Sequence, residues 1–347
     1  MPKKQCLPNV PHPSPLPPAG EGILDSIDRT VSICAPSNMR NFRIYIDQNI
    51  VGYVHEGILA LDRIEGVDWI YSNEHFNEIA RSESTSLLSA FDKLKAQKIE
   101  IQLDENFRIT DNATIYPYSS PFEQYRHHIE TIKSSGYDAL LLTELLGRFC
   151  GADNYRELCS LPDRLKLQVE ELLIKAGILN EFDQSSIEKV SSDLRGFIEK
   201  DLCDTRSLES LRKDIGADKG KVGKPKTENP IQDIWEVIGG NARGLTPDQF
   251  LGFDPKDKQG YDRWPMYLGI IGCHTMLNFI GYGTDKGISK VKSLPNIMSD
   301  ATHIALASFC DAVISEDARF CKKASAIYKY KNHPTQVLHL EIRNHHQ

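Results

Sequence analysis

Two short apolar runs at opposite ends of the chain constrain its fold more than any other feature. Arg43-Ile-Tyr-Ile46 and Ala312-Val-Ile-Ser315 carry β-branched and aromatic residues with no polar alternation. A strand with one wet face alternates apolar and polar side chains, whereas a short run that is apolar throughout is buried on both faces. Each run is closed by an aspartate, Asp47 directly and Asp317 two residues on, and each is followed by residues at helical spacing. Strands alternating with helices imply a mostly parallel sheet covered on both sides, an α/β fold.

Other elements follow the same logic. Val67-Asp-Trp-Ile-Tyr71 reads as a second strand, with Ser72 as the N-cap of a helix running to about Lys95. Asn49 to Ile64 has helical spacing, and Lys98 to Tyr118 has the pieces of a hairpin. Met266 to Tyr282 is an apolar helix suited to the core. Ser299 reads as the cap of a helix from Asp300 to Cys310, and Thr335 to Ile342 as a last strand.

These pieces divide the chain. Residues 1–38 are a Pro-rich tail, expected to be disordered because Leu7–Pro18 can form neither helix nor central strand. Met39 then lies near the domain start and near a plausible translation start. Residues 39–120 form the first part of the sheet domain, and residues 265–347 the second part. Residues 121–264 read as a mainly helical insertion with a flexible Lys/Gly-rich loop near 214–230.

Composition narrows the class. No run approaches the ~18 apolar residues of a membrane span. Eight cysteines are scattered without a C-x2-C pair, which argues against a structural zinc site and suits reduced thiols in a cytoplasmic protein. The net charge of -7 is unusual for a nucleic-acid binder. A phosphodiester site, however, needs only a local positive rim, and basic clusters occur at Lys219–Lys226, Lys286–Lys292 and Lys322–Lys331.

The acids carry the chemistry. In an open parallel sheet, sites form outside the carboxyl ends of the strands. Asp47 and Asp317 follow strands, Asp300 heads a helix running back along the sheet, and Glu78 sits in the second turn of the helix after Ser72. Each has a bland reading: an Asx-turn for Asp47, a helix-dipole partner for Asp300, a cap for Asp317, a solvated face for Glu78 with Glu74 beside it. Their convergence on one edge favours the functional reading. Clustered carboxylates raise one another's pKa values unless a cation joins them. Oxygen-only ligation suits Mg2+ or Mn2+, whose usual work in an open cleft is phosphoryl chemistry.

Four stretches together resemble the PIN domain nucleases. They are Ile44-Tyr-Ile-Asp-Gln-Asn-Ile50, Trp69–Ile79, Ser299-Asp-Ala-Thr-His-Ile-Ala-Leu-Ala307 and Cys310–Phe320. The match covers residues 39–95 and 265–345; the segment of about two hundred residues between Glu78 and Asp300 departs from the family. The resemblance implies a PIN-like three-layer α/β fold with a mostly parallel central sheet, interrupted by the helical insertion. It implies catalytic acids at Asp47, Glu78, Asp300 and Asp317, with the metal on Asp47, Asp300 and Asp317. Asn49 and Ser315 would support them by hydrogen bonds. The implied activity is a metal-dependent endonuclease, acting on RNA before DNA, in a toxin–antitoxin or phage-defence setting. A regulator such as an antitoxin, and a second copy of the chain, are the partners it allows.

Lys286, in the Gly281–Gly287 connection, and Lys322 and Lys323, beyond Asp317, are expected to contact phosphate, with Lys329 and Lys331 nearby. Strand direction assigns Asp311 to the opposite edge and a structural role. The alternative reading is a non-catalytic PIN-like module that binds nucleic acid or protein.

Overall fold

The computed structural model describes residues 40–135, 140–177, 184–217, 219–242 and 244–342. The expectations for the tail 1–38 and for Met39 lie outside these residues. Along the chain, β1 (Phe42–Ile46) leads into α1 (Gln48–His55), and β2 (Val67–Ser72) into α2 (Asn73–Ser82) and α3 (Leu88–Lys93). The hairpin β3 (Gln97–Leu103) and β4 (Ile109–Tyr116) follows. A helical stretch comes next: α4 (Pro121–Ser135), α5 (Leu140–Phe149), α6 (Tyr155–Leu158), α7 (Leu161–Ala176), α8 (Gln184–Asp201) and α9 (Ser207–Asp214). It continues through α10 (Lys219–Val222), α11 (Pro230–Ile238) and α12 (Pro247–Leu251). The chain then returns to the sheet with α13 (Met266–Ile280), α14 (Leu294–Ala307), β5 (Ala312–Ser315), α15 (Ala318–Tyr330) and β6 (Gln336–His339).

The strands form a single six-stranded sheet in the order β4-β3-β2-β1-β5-β6. Every pairing is parallel except the β3–β4 hairpin at one edge. The two apolar runs Arg43–Ile46 and Ala312–Ser315 are thus neighbours: Ile44 lies opposite Ala312 and Ile46 opposite Ile314. Alternate side chains of these central strands enter two cores. Ile44, Ile46, Trp69, Tyr71 and Ile314 pack with α1, α2 and α3. Tyr45, Ile70, Ile99 and Val313 pack with α11, α13, α14 and α15. This double burial is the physical reason the runs are apolar throughout.

Three local expectations are corrected. The helix after Ser72 stops at Ser82, because Glu83 adopts a left-handed conformation (φ 55°), and α3 restarts at Leu88. The helix carrying Asp300 begins at Leu294, not Asp300. Pro295 in its first turn is preorganised for a helix start, and the apolar spacing Leu294, Ile297, Ala301, Ile304 runs unbroken past Ser299. Ser299 is therefore a buried interior residue and not a cap. Within the expected loop 214–230, α10 forms, and Val222 is fully buried in the larger core.

Among the described residues no helix is long and apolar enough to cross a membrane. The six described cysteines are free thiols.

Candidate metal centre at the carboxyl edge of the sheet

Asp47 leaves β1 and N-caps α1. It is 4% exposed. Its Oδ1 accepts the Gln48 N–H at 2.9 Å, and its Oδ2 accepts Ser315 Oγ at 2.6 Å and Asn49 Nδ2 at 3.3 Å. The Ser315 hydroxyl also accepts the Asp317 N–H at 3.0 Å, so one hydroxyl ties the carboxyl ends of β1 and β5 together. Asp317 itself caps α15: its Oδ1 accepts the N–H groups of Arg319 (2.6 Å) and Phe320 (3.2 Å). Burial raises the Asp47 pKa, with the positive charge of His303 and the Ser315 hydrogen bond working against it.

Asp300 lies nearly two turns into α14. No hydrogen bond to its carboxyl is seen among the described residues. Its pKa stands well above the usual carboxylate range, first through burial, then through the charges of Asp47 and Asp285. Lys323 and His303 oppose this shift.

One side of Asp300 is a continuous polar chain between α2 and α14. His303 Nε2 meets Glu78 Oε2 at 3.4 Å, and its Nδ1 meets the Tyr45 hydroxyl at 2.7 Å. That hydroxyl lies 2.7 Å from Ser72 Oγ. Ser72 completes a capping box with His75, whose Nδ1 accepts the Ser72 N–H at 3.1 Å while Nε2 donates to the Ile46 carbonyl at 2.6 Å. The two imidazoles meet edge to face, 4.6 Å between centroids, and their pKa values are shifted in opposite directions. Burial and the neighbouring His303 lower the His75 pKa to about 3. Burial also lowers that of His303, but the hydrogen bond and charge of Glu78, with the charges of Asp47 and Glu74, outweigh it and lift the pKa to about 9. Glu78 follows suit: burial raises its pKa, and His303, His75 and Arg81 together bring it below its ordinary value. Glu74 belongs to the same edge, since it accepts the Ser299 hydroxyl, which in turn accepts Arg81 Nη2 at 2.6 Å.

The other side was not anticipated from the sequence. His274 on α13, Asp285 in the loop after it, and Asp300 offer ligand atoms that all lie within 4.8 Å of one another. His274 is fully buried, and neither ring nitrogen has a hydrogen-bond partner. Such an orphaned group costs about 1–3 kcal/mol. Burial first, then the Lys323 charge, push its pKa well below the ordinary value, so the ring is neutral. Asp285 is held by Asn278, one helical turn beyond His274. Asn278 Nδ2 donates to Asp285 Oδ2 and the Asp285 N–H donates to Asn278 Oδ1, both at 2.9 Å. The available signal is the pair His274 and Asn278, the buried polar residues at i and i+4 of a largely apolar helix.

The basic residues need correction. Lys323 was expected on a phosphate-contacting rim. It is fully buried and ion-paired with Asp285, inside the cluster. Its α15 position faces α13, and its stem covers Gly283. Lys322 is exposed and lies over the Tyr282 ring at 4.5 Å. Lys286 is exposed next to Asp285. Lys331 pairs with Asp248 at 3.1 Å. Asp311, at the far edge, accepts the Arg43 N–H at 2.9 Å and pairs with Arg40 at 2.8 Å, in keeping with the strand-direction argument.

Compared with protein families, curated proteins and solved structures, the chain matches none.

Proposed function

We propose that this chain is a metal-dependent phosphodiesterase of PIN-like architecture, an endonuclease acting on RNA in preference to DNA. The observation that carries the reading is the pairing of buried Asp47 with half-buried Asp300 at the carboxyl edge, near enough for the Asp47 charge to help raise the Asp300 pKa. A hard divalent ion, Mg2+ or Mn2+, offsets that charge. The carboxylate donors suit such an ion in kind, while the acids whose ligand atoms lie within 4.8 Å of one another are Asp300 and Asp285, together with His274. Asp47 is oriented by Ser315, Asn49 and the Gln48 N–H, Asp300 brings a carboxyl free of hydrogen bonds, and Asp317 Oδ1 is engaged in the α15 cap. When bound, the ion supplies charge compensation and acidifies a water. The chain's own contribution is orientation. Ser315 fixes Asp47 relative to β5, and His303, held between Tyr45 and Glu78, fixes the Glu78 carboxylate. Lys286, exposed beside Asp285, is positioned to meet phosphate at the rim.

The test is cleavage of labelled RNA and single-stranded DNA with Mg2+ or Mn2+, with and without chelator. Asp47→Asn is expected to lose at least about 100-fold in rate while keeping the fold, a loss typical of removing one electrostatic catalytic group. Undiminished metal-dependent cleavage by that variant would remove the activity from this edge. The rival, a non-catalytic binding module, is favoured by one observation: the Lys323 ammonium already supplies a resident cation against Asp285. Wild-type protein that binds RNA without cutting it in either metal would establish the rival.

A further inference from the structure

We infer that His274, Asp285 and Asp300 form a second cation site, one with a nitrogen donor, which selects Mn2+, Zn2+ or a similar transition ion over Mg2+ and shares Asp300 with the carboxylate site. Three features of the molecule carry this. The ligand atoms of the three residues come from α13, the following loop and α14, and lie within 4.8 Å of one another. The His274 ring is fully buried with both nitrogens unpartnered, in a helix whose other buried positions are almost all apolar. A packed histidine with a structural role makes hydrogen bonds, as His75 and His303 do in this protein. An imidazole with none, turned toward two carboxylates, is a donor without its acceptor.

The chemistry follows from the donor types. Imidazole nitrogen is a borderline ligand suited to zinc, copper, iron or nickel, whereas magnesium takes oxygen and water. Ligation requires an imidazole nitrogen with a free lone pair, and neither ring nitrogen of His274 has a hydrogen-bond partner. The ligands also come with support. Asn278 fixes Asp285 through two hydrogen bonds, the kind of outer contact that orients a ligating carboxylate. Both of the contacts that Asn278 and Lys323 make with the Asp285 side chain fall on Oδ2. Lys323 then acts as a resident competitor. Its ammonium occupies the cluster when no metal is present and yields when a doubly charged ion arrives.

The site shares Asp300 with the proposed nuclease centre but needs no nuclease activity, so its test is spectroscopic. Full-length protein is titrated with MnCl2 and examined by pulsed EPR for 14N coupling from a directly bound imidazole. Wild type is expected to show the coupling, and His274→Leu to lose it, with at least about a tenfold weaker Mn2+ affinity. Asp47→Asn is expected to keep the coupling, which separates this site from the carboxylate one. In a second measurement that needs no variant, Mn2+ or Zn2+ should raise the melting temperature of wild type at concentrations at least about tenfold below those Mg2+ requires. Mn2+ bound without 14N coupling, coupling that persists in His274→Leu, or no preference over Mg2+ would each overturn the site. Loss of cleavage in Asp47→Asn would leave it untouched, and so would the absence of cleavage altogether.

Discussion

The two sides of Asp300 contrast in how they treat buried histidines. Toward α2, His303 and His75 use both nitrogens each, in a chain running from Glu78 through Tyr45 and Ser72 to the Ile46 carbonyl. Toward α13, His274 uses neither. The first side is internally satisfied, so it holds its shape with or without a ligand. The second keeps an unmet donor set beside an ammonium, an arrangement that stores its stabilisation for an added cation. The contrast teaches that polarity and burial do not by themselves mark a ligand site; what marks it is polarity left without partners.

The sharpest way to break this contrast is Lys323→Met. Without metal it strands Asp285 beside Asp300, and removing one member of a buried pair costs about 3–5 kcal/mol. Chemical denaturation in chelator should show that loss, and Mn2+ should restore most of it. If the variant is as stable as wild type in chelator, Lys323 is not the resident counter-charge.

The next effect is a pH dependence in metal-free protein. The folded pKa of His303, about 9, lies above its ordinary value of ~6.5. Its contribution to stability is therefore complete below about pH 6.5 and is lost as pH rises through about 9, on the order of 3 kcal/mol in all. The groups responsible are Glu78, Asp47 and Glu74. His75 titrates in the opposite sense, withdrawing stability as pH falls below ~6.5 toward 3. A stability–pH curve for His303→Gln should be flatter on its alkaline limb, and its acid limb should shift as well, because His303 depresses the pKa values of His75 and Glu78. An unchanged alkaline limb would mean the imidazolium is not formed.

Leucine substitutions compare the two sides directly. His75→Leu removes the partner of the Ser72 N–H and leaves the Ile46 carbonyl unmet, at about 1–3 kcal/mol. His274→Leu removes no hydrogen bond and should be neutral or stabilising in chelator. Equal losses would erase the distinction drawn here. The smallest expected effect is that of Asp300→Asn, which relieves charge repulsion with Asp47 and Asp285. It should raise the melting temperature in chelator by a few degrees, at roughly 2–4 °C per kcal/mol, and abolish the benefit of added Mn2+.

Much of this fold could be read from the sequence because its central strands are buried on both sides. Arg43–Ile46 and Ala312–Ser315 announce themselves by having no polar alternation, and Ser72 by its cap chemistry. The start of α14 was misread because Ser299-Asp300 imitates a cap, while the signal that prevails, Pro295, sits a turn earlier. Helices α2 and α3 were merged because nothing in Glu83 advertises a left-handed turn. For the candidate site, Asp47 is legible as the end of a strand, whereas Asp300 is placed by a cap that α14 does not have and Glu78 by the family resemblance. His274 and Asp285 are not legible, since they meet Asp300 only once α13 has packed on α14. Lys323 was mistaken for surface because a lysine on an amphipathic helix normally is one.

The sheet also imposes a timetable on synthesis. Asp47 and Ser315 are 268 positions apart in sequence, so β1 emerges from the ribosome long before β5 exists to pair with it. At ~5–20 residues per second, the interval is roughly 15 to 55 seconds. Throughout it β1 presents an open hydrogen-bonding edge between two apolar faces, the kind of edge that invites pairing with another chain. A nascent chain of this topology needs its β1–β2–β3 unit shielded until β5 (Ala312–Ser315) has been made. Shortening the helical segment should shorten that exposure in proportion.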